Sequence, residues 1–322
     1  MLGSLPYKTK QFFIAIIKLS IIVGASYYIY NRLLNNENLN FTEFTSLLTK
    51  NNVFSAKNIF FLLILSVFNW FFEILKWKNL VKTIKKISFF EALEQSLGGL
   101  TASLITPNRI GDYGAKAIYF AKQYRKRVIL LNLIGNVNQM AVTTIIGIIG
   151  LILFYKNYDL EINFYKVSRL LVILIVLAVF TAFGLKQSRF RIKGFSIEQI
   201  INFVKQLPQR THIKTFILSL VRYAIFSFQF YFLLQIFGTS LDYKTAMIAI
   251  SSMYFLSSIV PSLAVFDVLI KTSAAVFLFS HLGIDELTIL SVSTLMWLLN
   301  FVLPSIFGSY FVLNFRLPKV QD

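Results

Sequence analysis

The sequence predicts an all-α integral membrane protein, with about six transmembrane helices plus two Pro-broken re-entrant hairpins arranged as an inverted repeat. Three observations carry this. Hydrophobic residues make up 56% of the 322 positions and charged residues only 14%, where a soluble domain of this size would carry nearer a quarter charged. The apolar residues fall in runs long enough to cross a bilayer core about 30 Å thick, which takes roughly 20 residues of helix. The order of these runs also repeats at a fixed offset along the chain.

Six spans are expected, at Phe12–Asn31, Asn58–Trp77, Ile129–Phe154, Leu170–Leu185, Ile213–Phe237 and Leu287–Leu313. Lys8 and Lys10 precede the first run as in a signal peptide, but Lys18 interrupts it and it continues to Tyr30. A retained helix is therefore predicted. Two further apolar stretches are broken by proline: Ala92–Thr106 followed by Gly111–Ala121, and Ala246–Val260 followed by Ala264–Ser280. Each half is short for a crossing. Such segments read as re-entrant hairpins, tolerated at membrane depth where protein or a cavity surrounds them.

The formal net charge of +18 does not point to nucleic acid, because the basic residues sit beside the apolar runs and no nucleic-acid-binding motif accompanies them. With the N-terminus inside and both hairpins returning to their side of entry, inside segments hold twenty basic and four acidic residues, and outside segments seven of each. This positive-inside bias predicts a multi-pass protein of the cytoplasmic (inner) membrane with both termini cytoplasmic. With no cysteine, disulfide and thiolate chemistry are excluded.

Adding 154 to a residue number maps the second span onto the fifth and places Pro107 on Pro261. Asp112 and Lys116 correspond to Asp267 and Lys271 with a one-residue slip. The chain is thus expected to form one membrane domain, residues 1–322, of two pseudo-repeat halves, 1–157 and 158–322, inserted in opposite senses. Inverted repeats with broken helices meeting near the midplane are a transporter signature.

Eight charges fall at membrane depth. Lys18 can snorkel to the interface, and Glu73 is expected to pair at the headgroups with Lys76, one of the inside basic residues. Arg109, Asp112, Lys116, Arg222, Asp267 and Lys271 are the candidate substrate-binding residues. Charge at a helix centre costs about 2.5–3.5 kcal/mol even on lenient insertion scales, so such groups face a bundle interior or an aqueous cavity. Asp112–Lys116 and Asp267–Lys271 are each spaced i,i+4, on one helix face. One reading is a set of ion pairs that pins the halves together. The other is a polar cavity in which Arg109, Lys116, Arg222 and Lys271 offer positive charge to a phosphate. Pro107, Gly111 and Pro261 mark the hairpin turns, and Gly98, Gly99, Gly111 and Gly114 would permit close backbone approach.

The segment Pro107-Asn-Arg-Ile-Gly-Asp-Tyr-Gly-Ala-Lys116, after a Gly-rich apolar run, resembles the Pro-x-Arg-x-Gly-Glu signature of the lysylphosphatidylglycerol synthase transmembrane (flippase-like) family. The second hairpin, with Pro261, Asp267 and Lys271, is similar to that family's later Pro-Gly-Gly-x-Gly-x-x-Glu region. The resemblance runs roughly from Phe60 to Leu313. Asp112 and Asp267 stand where the family usually has Glu, Lys116 replaces an Arg that often comes one position earlier, and Ser262-Leu-Ala-Val-Phe266 has lost the glycines. The best-known members add a soluble aminoacyl-transfer domain, which the nine residues after Leu313 do not provide. The resemblance implies translocation of an aminoacylated phospholipid or another polar lipid, with membrane lipids as partners.

Catalysis has less support. His212 and His281 lie 69 residues apart without metal-ligand spacing, and no Gly-x-Ser-x-Gly, Walker sequence or acidic metal cluster is present. No cofactor and no metal are expected. An integral-membrane transferase acting on a lipid, and a structural or accessory subunit, are the alternatives to a lipid flippase or transporter.

Overall fold

The computed structural model describes residues 41–50, 53, 55–104, 106, 110–158, 191–192, 195–259 and 267–315, with five helical positions between 16 and 27. The described helices are α1 (Phe41–Lys50), α2 (Ala56–Val81), α3 (Phe89–Leu104), α4 (Ile110–Ile118), α5 (Lys122–Asn157), α6 (Ile197–Gln206), α7 (Gln209–Ile236), α8 (Tyr243–Ile259), α9 (Asp267–Ser280) and α10 (Glu286–Asn314). A two-residue antiparallel ladder, Arg191–Ile192 against Phe195–Ser196, precedes α6. The fold is all-α.

Among the described residues, four helices are long and apolar enough to cross a membrane: α2, α5, α7 and α10, of 26, 36, 28 and 29 residues. They coincide with the second, third, fifth and sixth predicted spans. The fourth, Leu170–Leu185, lies outside the described residues, as does most of the first, Phe12–Asn31. Their outward faces are apolar, as at Val67 on α2, Ile149 on α5, Ile217 on α7 and Phe307 on α10. In lipid there is no hydrophobic penalty for this, so polar residues can turn inward.

Local chemistry sets the helix ends. Ser55 Oγ accepts from Asn58 N–H at the start of α2, and Asp285 Oδ2 accepts from Thr288 N–H at 3.2 Å at the start of α10. Ser88 and Glu91 form a reciprocal capping box on α3: Ser88 N–H donates to Glu91 Oε2 at 2.6 Å and Glu91 N–H to Ser88 Oγ at 3.1 Å. At the ends of α7 and α9, Gly238 and Gly283 take φ of 76° and 73°, the left-handed geometry that glycine adopts without steric cost.

The first hairpin is two helices, α3 and α4, of 16 and 9 residues. At 1.5 Å per residue they are about 24 and 14 Å long, each short of the hydrocarbon core. They lie against one another because Gly111 abuts the Ala102 carbonyl and Gly99 the Asp112 carboxylate, where a Cβ has no room. Gly98 has Tyr119 Oη at 3.1 Å from where its Cβ would stand, whereas Gly114 faces open space. The second hairpin places its helices at Tyr243–Ile259 and Asp267–Ser280. Pro107, Arg109 and Pro261 fall outside the described residues.

Packing interleaves the chain. α2 runs antiparallel to α7, α3 packs on α4 and α10, and α8 packs on α9 and α5. At the α5–α8 crossing Gly147 meets Phe255 and Gly150 meets Ser251; at the α3–α10 crossing Gly308 meets the Leu97 carbonyl and Thr101 Oγ1. Shifted by 154 residues, α2 maps to 210–235 and α3 to 243–258, against observed helices at 209–236 and 243–259.

Candidate functional site: a buried polar track

The antiparallel register of α2 and α7 follows their polar contacts. Asn79 Nδ2 donates to the Thr211 carbonyl and to Thr215 Oγ1, Arg222 meets Asn69, and Gln229 meets Ser66. On α2 the polar residues Ser66, Asn69, Glu73 and Lys76 recur every three or four positions, so they share one face. That face looks inward onto α7, α5 and α10.

Glu73 lies at the centre of the charged group. Its Oε2 is 2.6 Å from Lys76 Nζ and 2.7 Å from Arg222 Nη1. The Lys76 side chain is 3% exposed and that of Glu73 12%. These two do pair, as their spacing suggests, and they do so buried inside the bundle with Arg222 as a third member. Arg222, midway along α7, also donates from Nε to Asn69 Oδ1 at 3.0 Å, and its Nη1 reaches Gln139 Oε1 on α5 at 3.5 Å.

Beyond Asn69 the track continues through uncharged amides. Asn69 Nδ2 donates to Asn300 Oδ1 at 2.7 Å, Asn300 Nδ2 to Gln229 Oε1 at 2.9 Å, and Gln229 Nε2 to Ser66 Oγ at 2.8 Å. Asn300 sits in a five-residue π-turn, Leu298–Val302, inside α10. Pro304, four residues on, has no N–H to give the Asn300 carbonyl. That carbonyl accepts instead from Trp70 Nε1 at 3.0 Å. From Ser66 to Lys76 the linked groups cover ten residues of α2, about 15 Å at 1.5 Å per residue.

A second cluster joins α4 to α5. Lys116 Nζ is 3.1 Å from Asp112 Oδ1 and donates to Asn132 Oδ1 at 2.9 Å, while Asn132 Nδ2 donates to Asp112 Oδ2 at 2.7 Å. The ammonium also lies 4.8 Å from the centroid of the Trp77 ring, a cation–π contact. Trp77 Nε1 in turn donates to Gln95 Oε1 on α3 at 2.8 Å.

Among the described residues, three cations (Lys76, Lys116 and Arg222) and two carboxylates (Glu73 and Asp112) thus lie in two groups inside the bundle, a sum of one net positive charge. Of the six residues proposed from sequence, Asp112 and Lys116 are joined directly, and Arg222 lies in the neighbouring group. Asp267 and Lys271 are on α9, with side chains outside the described set, as is Arg109. The amides Asn69, Asn132, Gln139, Gln229 and Asn300 were missed. Attention to charge alone passed them over, although the three-to-four spacing of Ser66, Asn69, Glu73 and Lys76 marks the inward face.

No group of three or more potential metal ligands occurs among the described residues. The profile of the lysylphosphatidylglycerol synthase TM region matches residues 15–308, taking in α1 to α9, most of α10 and both clusters. The chain belongs to that family. The match covers the membrane region, and the family points to a multi-pass membrane protein acting on lipids. A comparison with curated proteins finds no match.

Proposed function

We propose that this family member carries the headgroup of a polar lipid across the bilayer along the α2–α7 track, as a flippase without resident cofactor. The supporting observation is the pair of buried charged clusters, which among the described residues carry one surplus positive charge, in a region where each charge is expensive to maintain. An anionic headgroup is the complement to that surplus. Aminoacylated phospholipids and lipid-linked phosphates fit that chemistry. Arg109, Asp267 and Lys271, on the two hairpins, would complete the headgroup contacts with Asp112, Lys116 and Arg222.

The same reading takes the halves 1–157 and 158–322 as inverted repeats of one domain in the cytoplasmic membrane, with both termini inside. The agreement of helix boundaries at the 154-residue shift supports it. So does the basic residue content near the α2 C-terminus and the α5 and α7 N-termini.

Reconstitution into proteoliposomes holding a fluorescent lipid tests the transport reading. The protein should make inner-leaflet lipid accessible to an external quencher, whereas Arg109→Ala and Lys271→Ala should stay folded and inserted but stop the crossing. Unchanged crossing in both variants would refute the site. A new lipid product without crossing would show an enzyme. Because the chain has no cysteine, single substitutions Lys82→Cys and Thr239→Cys report topology directly: impermeant maleimide should label them from opposite sides.

A further inference from the structure

Two polar rungs join α4 to α5. The first is buried: Asn132 Nδ2 donates to Asp112 Oδ2, and Lys116 Nζ donates to Asn132 Oδ1. The second is at the surface, where Asn136 Nδ2 donates to Tyr113 Oη at 2.8 Å. Asn132 and Asn136 are spaced i,i+4 and share a face of α5, about 6 Å apart along its axis. Tyr113 directly follows Asp112, so the seam between the two helices runs from the charged cluster to the outside of the bundle. Burial changes along it. The Lys116 side chain is 4% exposed and that of Asp112 16%, Asn136 is exposed, and Gly114 faces open space.

The outer rung lies at membrane depth. Between Arg127 and Lys156, α5 has no charged residue, and a hydrocarbon core of about 20 residues centred on that stretch begins near Asn132. Asn136 is one turn inside that edge, beside the exposed Val137 and Met140. An amide exposed there is costly, because hydrocarbon offers its polar groups no partner. Packing supplies no reason for it, since leucine would suit a lipid-facing position without that cost. The second amide N–H of Asn136 and its carbonyl oxygen have no protein partner among the described residues. They are available to a polar group arriving from the bilayer.

We propose that the α4–α5 seam is the lateral entrance to the charged cluster, with Asn136 and Tyr113 the first contacts for the phosphate-bearing headgroup of a membrane lipid whose acyl chains stay in the bilayer. This rests on the transport reading above. The Asn136 amide N–H is a donor for a phosphate oxygen, and one turn further in Asn132 and Lys116 offer an amide and a charged donor. Entry breaks only the bond between the Asn136 and Tyr113 side chains and leaves the backbone ladders of both helices intact.

The full-length protein in nanodiscs holding phosphatidylglycerol with a diazirine on its headgroup tests entry without requiring transport, with labelled peptides mapped by mass spectrometry. Leu220 is the depth control: it is exposed and lies seven positions into its predicted span, as Asn136 does into its own. Label near Tyr113 and Asn136 should exceed that near Leu220 by about fivefold, the preference that one hydrogen bond confers, and Asn136→Leu should abolish the excess. In proteoliposomes Asn136→Leu should slow lipid crossing by about fivefold with an unchanged thermal midpoint, since the exposed position loses no packing. Met140→Leu, one turn on, should change neither. If the unaltered protein moves no lipid, the transport reading fails and the labelling alone decides the entrance. Seam labelling no higher than at Leu220 would overturn the proposal. So would normal crossing by Asn136→Leu, or slowing that only follows a lowered midpoint.

Discussion

The bundle has two interiors that differ in kind. Around α2, α4 and the first half of α5, Glu73, Lys76, Asp112, Lys116 and Asn132 are embedded beside Trp77 in an apolar layer that includes Ile74, Leu80 and Leu131. Around α8, α9 and the end of α7 it is filled by Phe230, Leu233, Leu234, Ile250, Leu278 and Phe279. The shift of 154 residues sharpens the contrast: Asn69, Glu73 and Lys76 correspond to Tyr223, Ser227 and Phe230. Matching helix boundaries therefore carry different chemistry. Backbone architecture is set by helix length, caps and close-contact glycines, and these leave the inward side chains free to diverge. The charged interior is held by directional contacts that fail when one member is lost. The apolar interior is held by shape and tolerates volume-conserving exchange.

The largest effect should come from Glu73→Gln, which leaves Arg222 and Lys76 buried without a counter-charge. Breaking a buried ion pair costs about 3–5 kcal/mol, so a fall of many degrees in the thermal unfolding midpoint in detergent is expected. Glu73→Leu with Lys76→Met and Arg222→Met, which removes all three charges, should regain much of that stability while lipid crossing is lost. Normal crossing in the triple variant would make this interior purely structural. A substitution of similar size on the apolar side, Leu234→Met, should cost less than about 1.5 kcal/mol.

Gly308→Val comes next. Its side chain would enter the Leu97 backbone and Thr101, and overpacking of this kind costs about 1–3 kcal/mol. Gly150→Val tests the corresponding α5–α8 crossing against Ser251, and similar losses in thermal midpoint are expected from both. Asn300→Leu removes the link between Asn69 and Gln229 and should cost about 1–3 kcal/mol through the amide groups left unsatisfied. The Trp70 contact should survive, since it uses the Asn300 backbone carbonyl, and an unchanged Trp emission maximum would check that.

The smallest effect concerns Glu91. The Ser88 backbone N–H, donating to its carboxylate, holds its pKa below the usual glutamate value. A carboxyl depressed on folding stabilises fully above its unfolded pKa, and that contribution is lost as pH falls through the lower folded value. Acid should therefore loosen the start of α3, and Glu91→Gln should remove this pH dependence at a cost of about 1 kcal/mol or less. Hydrogen exchange of the first turn of α3 between neutral and acid pH would read it.

Much of the architecture was legible in the sequence because hydropathy, proline and basic clusters act locally. The spans over α2, α5, α7 and α10 fall where the apolar runs lie, and the first hairpin breaks around its proline. Site chemistry was less legible. The i,i+4 spacing of Asp112 and Lys116 gave their contact, but Asn132, which closes that triangle, comes from the next helix. Arg222 was visible as a deep charge, yet its partner Glu73 is 149 positions away on α2. The π-turn at Asn300 has no periodic signature, although Pro304 marks the carbonyl that it releases.

The length of α5 has a mechanical consequence. At 36 residues and 1.5 Å per residue it is about 54 Å long, well beyond the 30 Å hydrocarbon core. It is gripped at two stations, by Asp112 and Lys116 at Asn132 and by Ser251 at Gly150, about 27 Å apart along its axis. One rigid helix thus touches a partner helix of each hairpin, α4 at Asn132 and α8 at Gly150, so the two hairpins are spaced by a single element.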